Sequence, residues 1–437
     1  MNSTYETIVG MEIHVELSTA AKMFCGCTLA TLQDKPNTHT CPICLGLPGA
    51  LPYPNKEAVE SCIKIGLALN CAINKDSFFE RKNYFYPDLA KGFQTSQYLV
   101  PFAEKGFLEI KVGGKTKRIG ITRVHMEEDT GKLTHATVNG KEVSLIDFNR
   151  SGVPLVEIVT EPDIGSALEA KIFLTELQKI IRYLGVSDAD MEKGHMRLEP
   201  NISLRKIEEA ALPKYKVEVK NINSFRFVEK AILFEEKRHE ELLRKGETPI
   251  QETRGWNEFK NKTVRQRSKE EAHDYRYFPE PDLPPIQLRD EEIEMIKDQI
   301  PELPSEKSKR FVTSFELSEY NAEILTRDKS LADFFEKTVN IGKKHDLDAI
   351  KIANHIINKK IDISELEPAT LVKGFVVSRQ TVSVDNKKLT ETIKKILKDN
   401  PQAVIDYKNG KTQIVGFLIG KTKQILQEVN DTEQIRL

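Results

Sequence analysis

The chain has 437 residues, with 65 basic and 66 acidic side chains and a formal net charge of -1; this balance excludes a uniformly basic nucleic-acid coat but leaves room for a local basic patch. At 39% hydrophobic and 30% charged residues the chain can bury a core and is not a disordered tail, and its length suggests about three domains at roughly 150 residues each. No apolar run approaches the ~18 residues of a membrane span, the N-terminus lacks the layout of a signal peptide, and six cysteines are too few and too clustered for a disulfide scaffold, so a reducing, cytoplasmic setting is expected.

The first element is a strand. In 12–17 (EIHVEL), Glu12, His14 and Glu16 project to one face and Ile13, Val15 and Leu17 to the other, the period of two that marks a half-buried strand. A cysteine cluster follows, with Cys25 and Cys27 separated by 13 residues from Cys41 and Cys44. Two close pairs on either side of a loop can bring four thiolates to one tetrahedral ion, and soft sulfur ligands favour Zn²⁺. Four protein ligands would close such a site, making it structural; four free cysteines, or a redox pair at Cys41 and Cys44, are the competing readings. Cys62 and Cys71 lie in an apolar stretch and read as core.

Carboxylates recur further along. His125-Met-Glu-Glu-Asp129 ends a strand-like stretch, and Glu157 interrupts the apolar run 154–159 (PLVEIV). A charge there is costly unless it meets cations or donors. A structural ion pair would satisfy it; so would a cluster of oxygen ligands and one imidazole around Mg²⁺, with Arg and Lys beside it to clamp a transferring phosphoryl group. A helix is expected over 166–184, with its apolar residues on one face and Gly185 as cap. In the strand 197–205 (RLEPNISLR), Arg197, Glu199, Asn201, Ser203 and Arg205 share a face, and in 216–220 (KVEVK) Lys216, Glu218 and Lys220 repeat the pattern. A plain solvated sheet face explains any one of these strands, but the recurrence of His, Glu, Asn and Arg in several strands points to chemistry. A second helix spans 225–245, closed by Gly246. The proline-rich run 279–285 is neither helix nor central strand, and a domain border is placed just after it. Beyond Asp290 the pattern is mostly helical, with a turn at 408–410. No P-loop and no G-x-G-x-x-G occurs, so an ATP site would be built on a sheet face. From Lys351 to Leu437 there are 15 Lys/Arg against 10 Asp/Glu, which is either a solvated helical surface or a phosphate-contacting module.

Eight segments in order are recognisable: 10–17 (GMEIHVEL), 41–55, 80–98, 120–132 (GITRVHMEEDTGK), 147–164 (DFNRSGVPLVEIVTEPDI), 185–205, 217–231 and 267–285. Together they closely resemble the B-subunit family of the aspartyl/glutamyl-tRNA amidotransferases. The resemblance covers the first two thirds of the chain and continues more weakly to near the end.

The resemblance implies an α+β fold. A cradle-like catalytic domain with a mostly antiparallel sheet, similar to glutamine synthetase and the guanido kinases, is followed by a helical domain and a small helical tail that grips tRNA. The corresponding spans are 1–292, with a zinc-binding loop at 25–44, then 293–362 and 363–437; the stretch between about Lys373 and Lys388 is shorter than usual in the family. The implied activity is a ligase: ATP and Mg²⁺ phosphorylate the side-chain carboxylate of Glu-tRNA(Gln) or Asp-tRNA(Asn), and ammonia from an amidase A subunit displaces the phosphate. A small C subunit completes the heterotrimer. Carried over by motif, His14, Glu128 and Glu157 match the metal site, with Glu12 and Glu199 in the same cluster. Lys82 and Arg205 are candidates for phosphate contact, and Cys25, Cys27, Cys41 and Cys44 match the zinc-carrying branch. Strict alternation would set Glu128 opposite His125 and Glu127, so its assignment requires the strand to end or bulge there. A zinc-stapled RNA-binding subunit without catalysis, and a free-standing ligase for a small molecule, are the alternatives.

Overall fold

The computed structural model describes residues 4–31, 33–268, 274–380 and 386–425. Residues 269–273 of the motif at 267–285, residues 381–385 of the shortened stretch and the tail end, 426–437, lie outside the described residues. The chain divides into two compact units, Met1–Pro304 and Ser305–Leu437.

The strands of the first unit, in chain order, are β1 (Tyr5–Glu16), β2 (Ala72–Ile73), β3 (Asp76–Ser77), β4 (Glu80–Asn83), β5 (Phe93–Ser96), β6 (Ala103–Val112), β7 (Lys115–Glu128), β8 (Lys132–Val138), β9 (Lys141–Asp147), β10 (Pro154–Thr160), β11 (Met196–Lys206), β12 (Val217–Lys220), β13 (Glu252–Asn257), β14 (Lys262–Ser268), β15 (Phe278–Pro279) and β16 (Ile286–Gln287). Nine of them form one sheet in the order β14-β13-β12-β11-β1-β10-β7-β6-β2. Every neighbouring pair in it is antiparallel except β12 and β13. Pro279 sits on the edge strand of a small sheet ordered β15-β4-β5, where its missing N–H costs no ladder bond.

One face of the large sheet is apolar and covered. Val9, Met11, Ile13 and Val15 of β1 are fully buried in a core shared with α1 (Lys56–Ala68), α2 (Ala167–Leu184) and α3 (Phe225–Arg244). Helix α2 begins where Ser166 accepts a hydrogen bond from the Glu169 amide and ends at Gly185, whose left-handed φ of 71° favours a residue without a Cβ. Its stripe of Phe173, Leu174, Leu177 and Ile181 is buried, each side chain contributing roughly 1.5–3 kcal/mol against exposure. Helix α3 starts at Ser224 in the same way. Its buried stripe carries Glu235 and His239 beyond Val228, Ala231 and Ile232, and Arg238, Arg254 and Thr263 surround the Glu235 carboxylate.

β7 changes face partway along. Ile119 and Ile121 are core residues, and so are Val124 and Met126. The pairing of β10 with β7 slips by one residue between Val159 and Thr160, so Thr122 is extra on β7. This bulge turns the odd positions from the core to the opposite face of the sheet, which is how Arg123, His125 and Glu127 come to point away from the helices.

Helix α4 (Asp290–Lys297) belongs to the first unit, because Ile296 is buried in the sheet core. The second unit is helical, with α5 (Pro304–Phe315), α6 (Glu319–Leu325), α7 (Lys329–Gly342), α8 (Ala349–Lys359), α9 (Pro368–Gln380), α10 (Asn386–Asp399), α11 (Pro401–Lys408) and α12 (Ile414–Ile425). Its core runs from Phe311 to Leu371 and Val372, so α9 is packed with the helices before it. α10, α11 and α12 pack on one another, and Gly410 makes the expected turn at φ 92°. No helix among the described residues is long and apolar enough to cross a membrane.

Candidate active site

The polar face of the sheet forms the floor of a cavity of about 630 Å³. Glu12 and His14 come from β1, Glu157 from β10, Arg123, His125 and Glu127 from β7, Arg197 and Glu199 from β11, and Glu218 and Lys220 from β12. Lys82, Tyr84, Tyr98, Tyr275 and Tyr277 line it as well.

At its centre, His14, Glu127 and Glu157 bring one ligand atom each to within 4.8 Å of one another. The register explains this: His14 lies opposite Glu157, which lies opposite His125. His14 Nε2 is 3.6 Å from Glu157 and 3.8 Å from Glu127, and His125 Nε2 is 3.2 Å from Glu157. Glu127 also accepts hydrogen bonds from Gln94 and Ser96, and Lys82 Nζ stands 3.6 Å away. Burial alone would lower the His14 pKa, but the hydrogen bond and charge of Glu157 outweigh it and raise it to about 9. Burial likewise works against the Glu127 carboxylate, yet Lys82 and His125 hold it down at about 2. Glu157 is held well below the carboxylate range against its burial by His125 and His14. Both glutamates are therefore ionised near neutral pH, as cation ligands must be.

The expected grouping of Glu128 with His14 and Glu157 is corrected here. The bulge on β7 falls at Thr122, before the motif, and leaves the alternation of residues 125–128 intact. Glu127 therefore joins the cluster. Glu128 points the other way, pairs with Lys91 and accepts from the Thr95 amide at 2.8 Å. A strict odd-numbered reading of Arg123, His125 and Glu127 would have found the right carboxylate.

A second acidic group sits beside the first. Glu12, Glu199 and Glu218 also place ligand atoms within 4.8 Å of one another. Lys220 Nζ bridges Glu199 at 2.7 Å and Glu218 at 3.3 Å, and Asn201 donates to Glu12 at 3.0 Å. Burial, then the charges of Glu157, Glu199 and Glu218, raise the Glu12 pKa. Next to it, Arg197 bonds Asp129 at 2.7 Å, and burial together with Asp129 pushes Glu16 up to about 8. Arg205 is on the expected face of β11 but at its far end, opposite Glu6, to which it donates at 2.7 Å; it does not line the cavity. Glu218, Lys220, His125 and Gln94 also line the cavity and were not among the expected site residues.

The donor sets suit metal ions. Two carboxylates and an imidazole beside a second carboxylate group fit a hard divalent cation. The Nδ1 of His125, buried with no hydrogen-bond partner, marks a polar environment left incomplete by the protein groups described. Outside the cavity, the sulfur atoms of Cys25, Cys27, Cys41 and Cys44 all lie within 4.8 Å of one another, the chemistry of a closed thiolate site. The Cys25 thiol beside Cys44 holds Cys44 down at about 5. The fully buried Lys22 reaches this cluster, with Nζ 3.6 Å from the Cys44 sulfur, and it also donates to the carbonyls of His39 and Phe148. Cys62 and Cys71 are buried in the core, and burial pushes Cys71 up to about 12.

Comparison with known proteins agrees with this architecture. A family model described as the GatB/GatE catalytic domain matches residues 7–294, and a second, described as a GatB domain, matches 344–435. Proteins named as the B subunit of aspartyl/glutamyl-tRNA(Asn/Gln) amidotransferase are similar along almost the whole chain. The one from Thermotoga neapolitana is 45% identical over 95% of this chain and 94% of its own length. That from Thermoanaerobacter sp. strain X514 is 45% identical, and that from Dehalococcoides mccartyi strain 195 is 44% identical, with the same coverage of both chains. The chain belongs to the family of aspartyl/glutamyl-tRNA amidotransferase B subunits.

Proposed function

We propose that the chain is the kinase and transamidase subunit of a tRNA-dependent amidotransferase, and that the cavity on the sheet face is where the carboxylate of a misacylated tRNA is phosphorylated and then amidated. The observation that carries this reading is the meeting of His14, Glu127 and Glu157 on three strands, beside Glu12, Glu199 and Glu218. The similarity to proteins named for Asn and Gln acceptance supports Glu-tRNA(Gln) and Asp-tRNA(Asn) as substrates. An amidase A subunit and a small C subunit are the partners. The setting is the cytoplasm, where charged tRNA is found. The fold reading is the cradle type shared with glutamine synthetase and the guanido kinases, with functional spans of 1–292, 293–362 and 363–437, the last contacting tRNA.

In the reaction, an oxygen of the substrate carboxylate attacks the γ-phosphorus of ATP and ADP leaves. Ammonia then attacks the acyl carbon, phosphate leaves and the amide nitrogen gives up a proton. A carboxylate is a poor electrophile, and phosphorylation supplies the leaving group. His14, Glu127 and Glu157 would hold Mg²⁺, with Glu12, Glu199 and Glu218 as a second acidic group; Mg²⁺ when bound neutralises the charge of the phosphates. Lys82, set beside the cluster by its pairing with Glu127, is placed to steady the transferring group. The four cysteines would hold a structural Zn²⁺.

The test is reconstitution with an A and a C subunit, followed by assay of ATP- and glutamine-dependent conversion of both charged tRNAs. Glu157→Ala is expected to abolish tRNA-dependent ATP hydrolysis while tRNA binding persists. Undiminished ATP turnover in that variant would remove the kinase role from this site and favour a non-catalytic RNA-binding subunit.

A further inference from the structure

The cations that line the cavity are accounted for by carboxylates, with one exception. Lys82 faces Glu127 at 3.6 Å, Arg197 bonds Asp129 at 2.7 Å, Lys220 bonds Glu199 at 2.7 Å and Arg276 stands 3.6 Å from Asp274. Arg123 lines the same cavity, and among the described residues no carboxylate pairs with it. Its Nε is buried and has no hydrogen-bond partner among the described residues. A guanidinium carries five donors and stays charged at any physiological pH, so leaving it unpaired in a partly buried wall is costly unless something else takes its donors.

The neighbourhood holds Arg123 in place without satisfying it. The guanidinium lies over the Tyr98 ring, 5.9 Å from its centroid. Tyr98 in turn stacks on Tyr277, with centroids 4.6 Å apart and planes 13° from parallel. The Tyr98 amide is fixed by Glu80, to which it donates at 2.7 Å. A cation–π contact of this kind engages the ring without using the N–H donors, which can grip phosphate in a forked pair of hydrogen bonds. The Thr122 bulge places Arg123 on the same face as His125 and Glu127. One strand repeat, ~7 Å, separates it from His125 and two from Glu127. It therefore stands beside the metal-binding candidates and not among them.

We propose that Arg123, oriented by the Tyr98–Tyr277 stack, binds a phosphate group of the nucleotide that is not the one transferred. This rests on the kinase reading above and adds a phosphate contact in the place that Arg205 does not fill. Arg123 touches the substrate; Tyr98 and Tyr277 are positioning residues.

The experiment measures equilibrium binding of ADP and of a non-hydrolysable ATP analogue, each with Mg²⁺, to the assembled three-subunit enzyme. Arg123→Gln is expected to weaken both by about 10- to 100-fold, the scale of a lost charged hydrogen-bond pair. Arg123→Lys should recover part of that loss, Tyr98→Ala should give a smaller loss than Arg123→Gln, and tRNA affinity should not change in any of them. Wild-type nucleotide affinity in Arg123→Gln overturns the proposal and assigns the guanidinium elsewhere, such as to the substrate carboxylate. Should Arg123→Gln lose tRNA binding too, Arg123→Lys decides: no recovery of nucleotide affinity there also overturns it. If the wild-type enzyme itself binds neither nucleotide, the kinase reading fails and this inference with it, an outcome distinct from a wild type that binds and an Arg123→Gln variant that matches it.

Discussion

Glu127 and Glu128 are adjacent, identical in chemistry and both buried, so exchanging each for glutamine isolates the effect of direction. At an effective dielectric of about 20, unit charges 3.6 Å apart attract by roughly 4–5 kcal/mol. Glu127 faces three basic groups at 3.6–3.8 Å, Lys82, His125 and His14. Its neutralisation also relieves repulsion from Glu157 and lets an imidazole release its proton, so the net destabilisation should be about 3–5 kcal/mol, the usual cost of breaking a buried pair. Glu127→Gln also removes one of the three candidate ligands. Changes to residues that merely support metal ligands already cost about 10- to 100-fold in affinity, and a ligand change should cost at least that. Glu128→Gln breaks the pair with Lys91, but an amide oxygen can still accept from Thr95, so divalent-ion affinity should stay near wild type. The assay is Mn²⁺ binding followed by electron paramagnetic resonance, with tRNA-dependent ATP hydrolysis in parallel. Loss of Mn²⁺ in Glu128→Gln with retention in Glu127→Gln would refute the assignment of faces along β7.

The Glu235 network predicts acid sensitivity of the first unit. Burial opposes ionisation of Glu235, but His239 and Arg238 hold its pKa at about 2 against ~4.3 unfolded; the resulting ~3 kcal/mol is fully present above pH ~4.3 and is lost as pH falls towards 2. Burial also lowers the His239 pKa, so its contribution is present above ~6.5 and is lost as pH falls through the folded value. Denaturation midpoints between pH 7.5 and 5 should fall in the wild type and fall less in His239→Gln; parallel curves would contradict this. Purified protein should carry one zinc per chain, and Cys41→Ser should lose it and melt at lower temperature; stoichiometric metal in that variant would disprove the four-thiolate site. Removing residues 386–437 should weaken tRNA binding and flatten its salt dependence, since phosphate contacts are lost. The cut belongs after α9 because Leu371 and Val372 lie in the helical core, and an unchanged salt slope would place the tRNA contacts elsewhere.

Alternation in β1 and β11 showed in the sequence which side chains share a face, and the structure has Glu12, His14, Arg197 and Glu199 on the cavity side. The extents of α2 and α3 were legible too, because Gly185 and Gly246 act locally just past their ends. Position along a strand was not legible. Arg205 has the right face, but the pairing of β1 with β11 sets it against Glu6, while Glu199 meets Glu12. That register is fixed by tertiary packing between segments nearly two hundred residues apart. The β7 bulge was equally hidden, since Thr122 differs in no obvious way from its neighbours. Glu235 and His239 gave no signal in the sequence, although they are fully buried, with Arg238 of the same helix beside Glu235 and Arg254 and Thr263 reaching it from β13 and β14.

The cysteine loop is bound to the segment that leads into β10. Met23 donates to the Gly152 carbonyl at 2.7 Å, His39 to the Asn149 side chain at 2.8 Å and Ser151 to the Cys44 carbonyl at 3.1 Å, while Lys22 reaches Phe148. Glu157 follows shortly after that segment on a continuous strand. The thiol cluster is thus laced to the chain that enters β10, so any change at the sulfurs is passed by these four bonds to the head of the strand that carries Glu157.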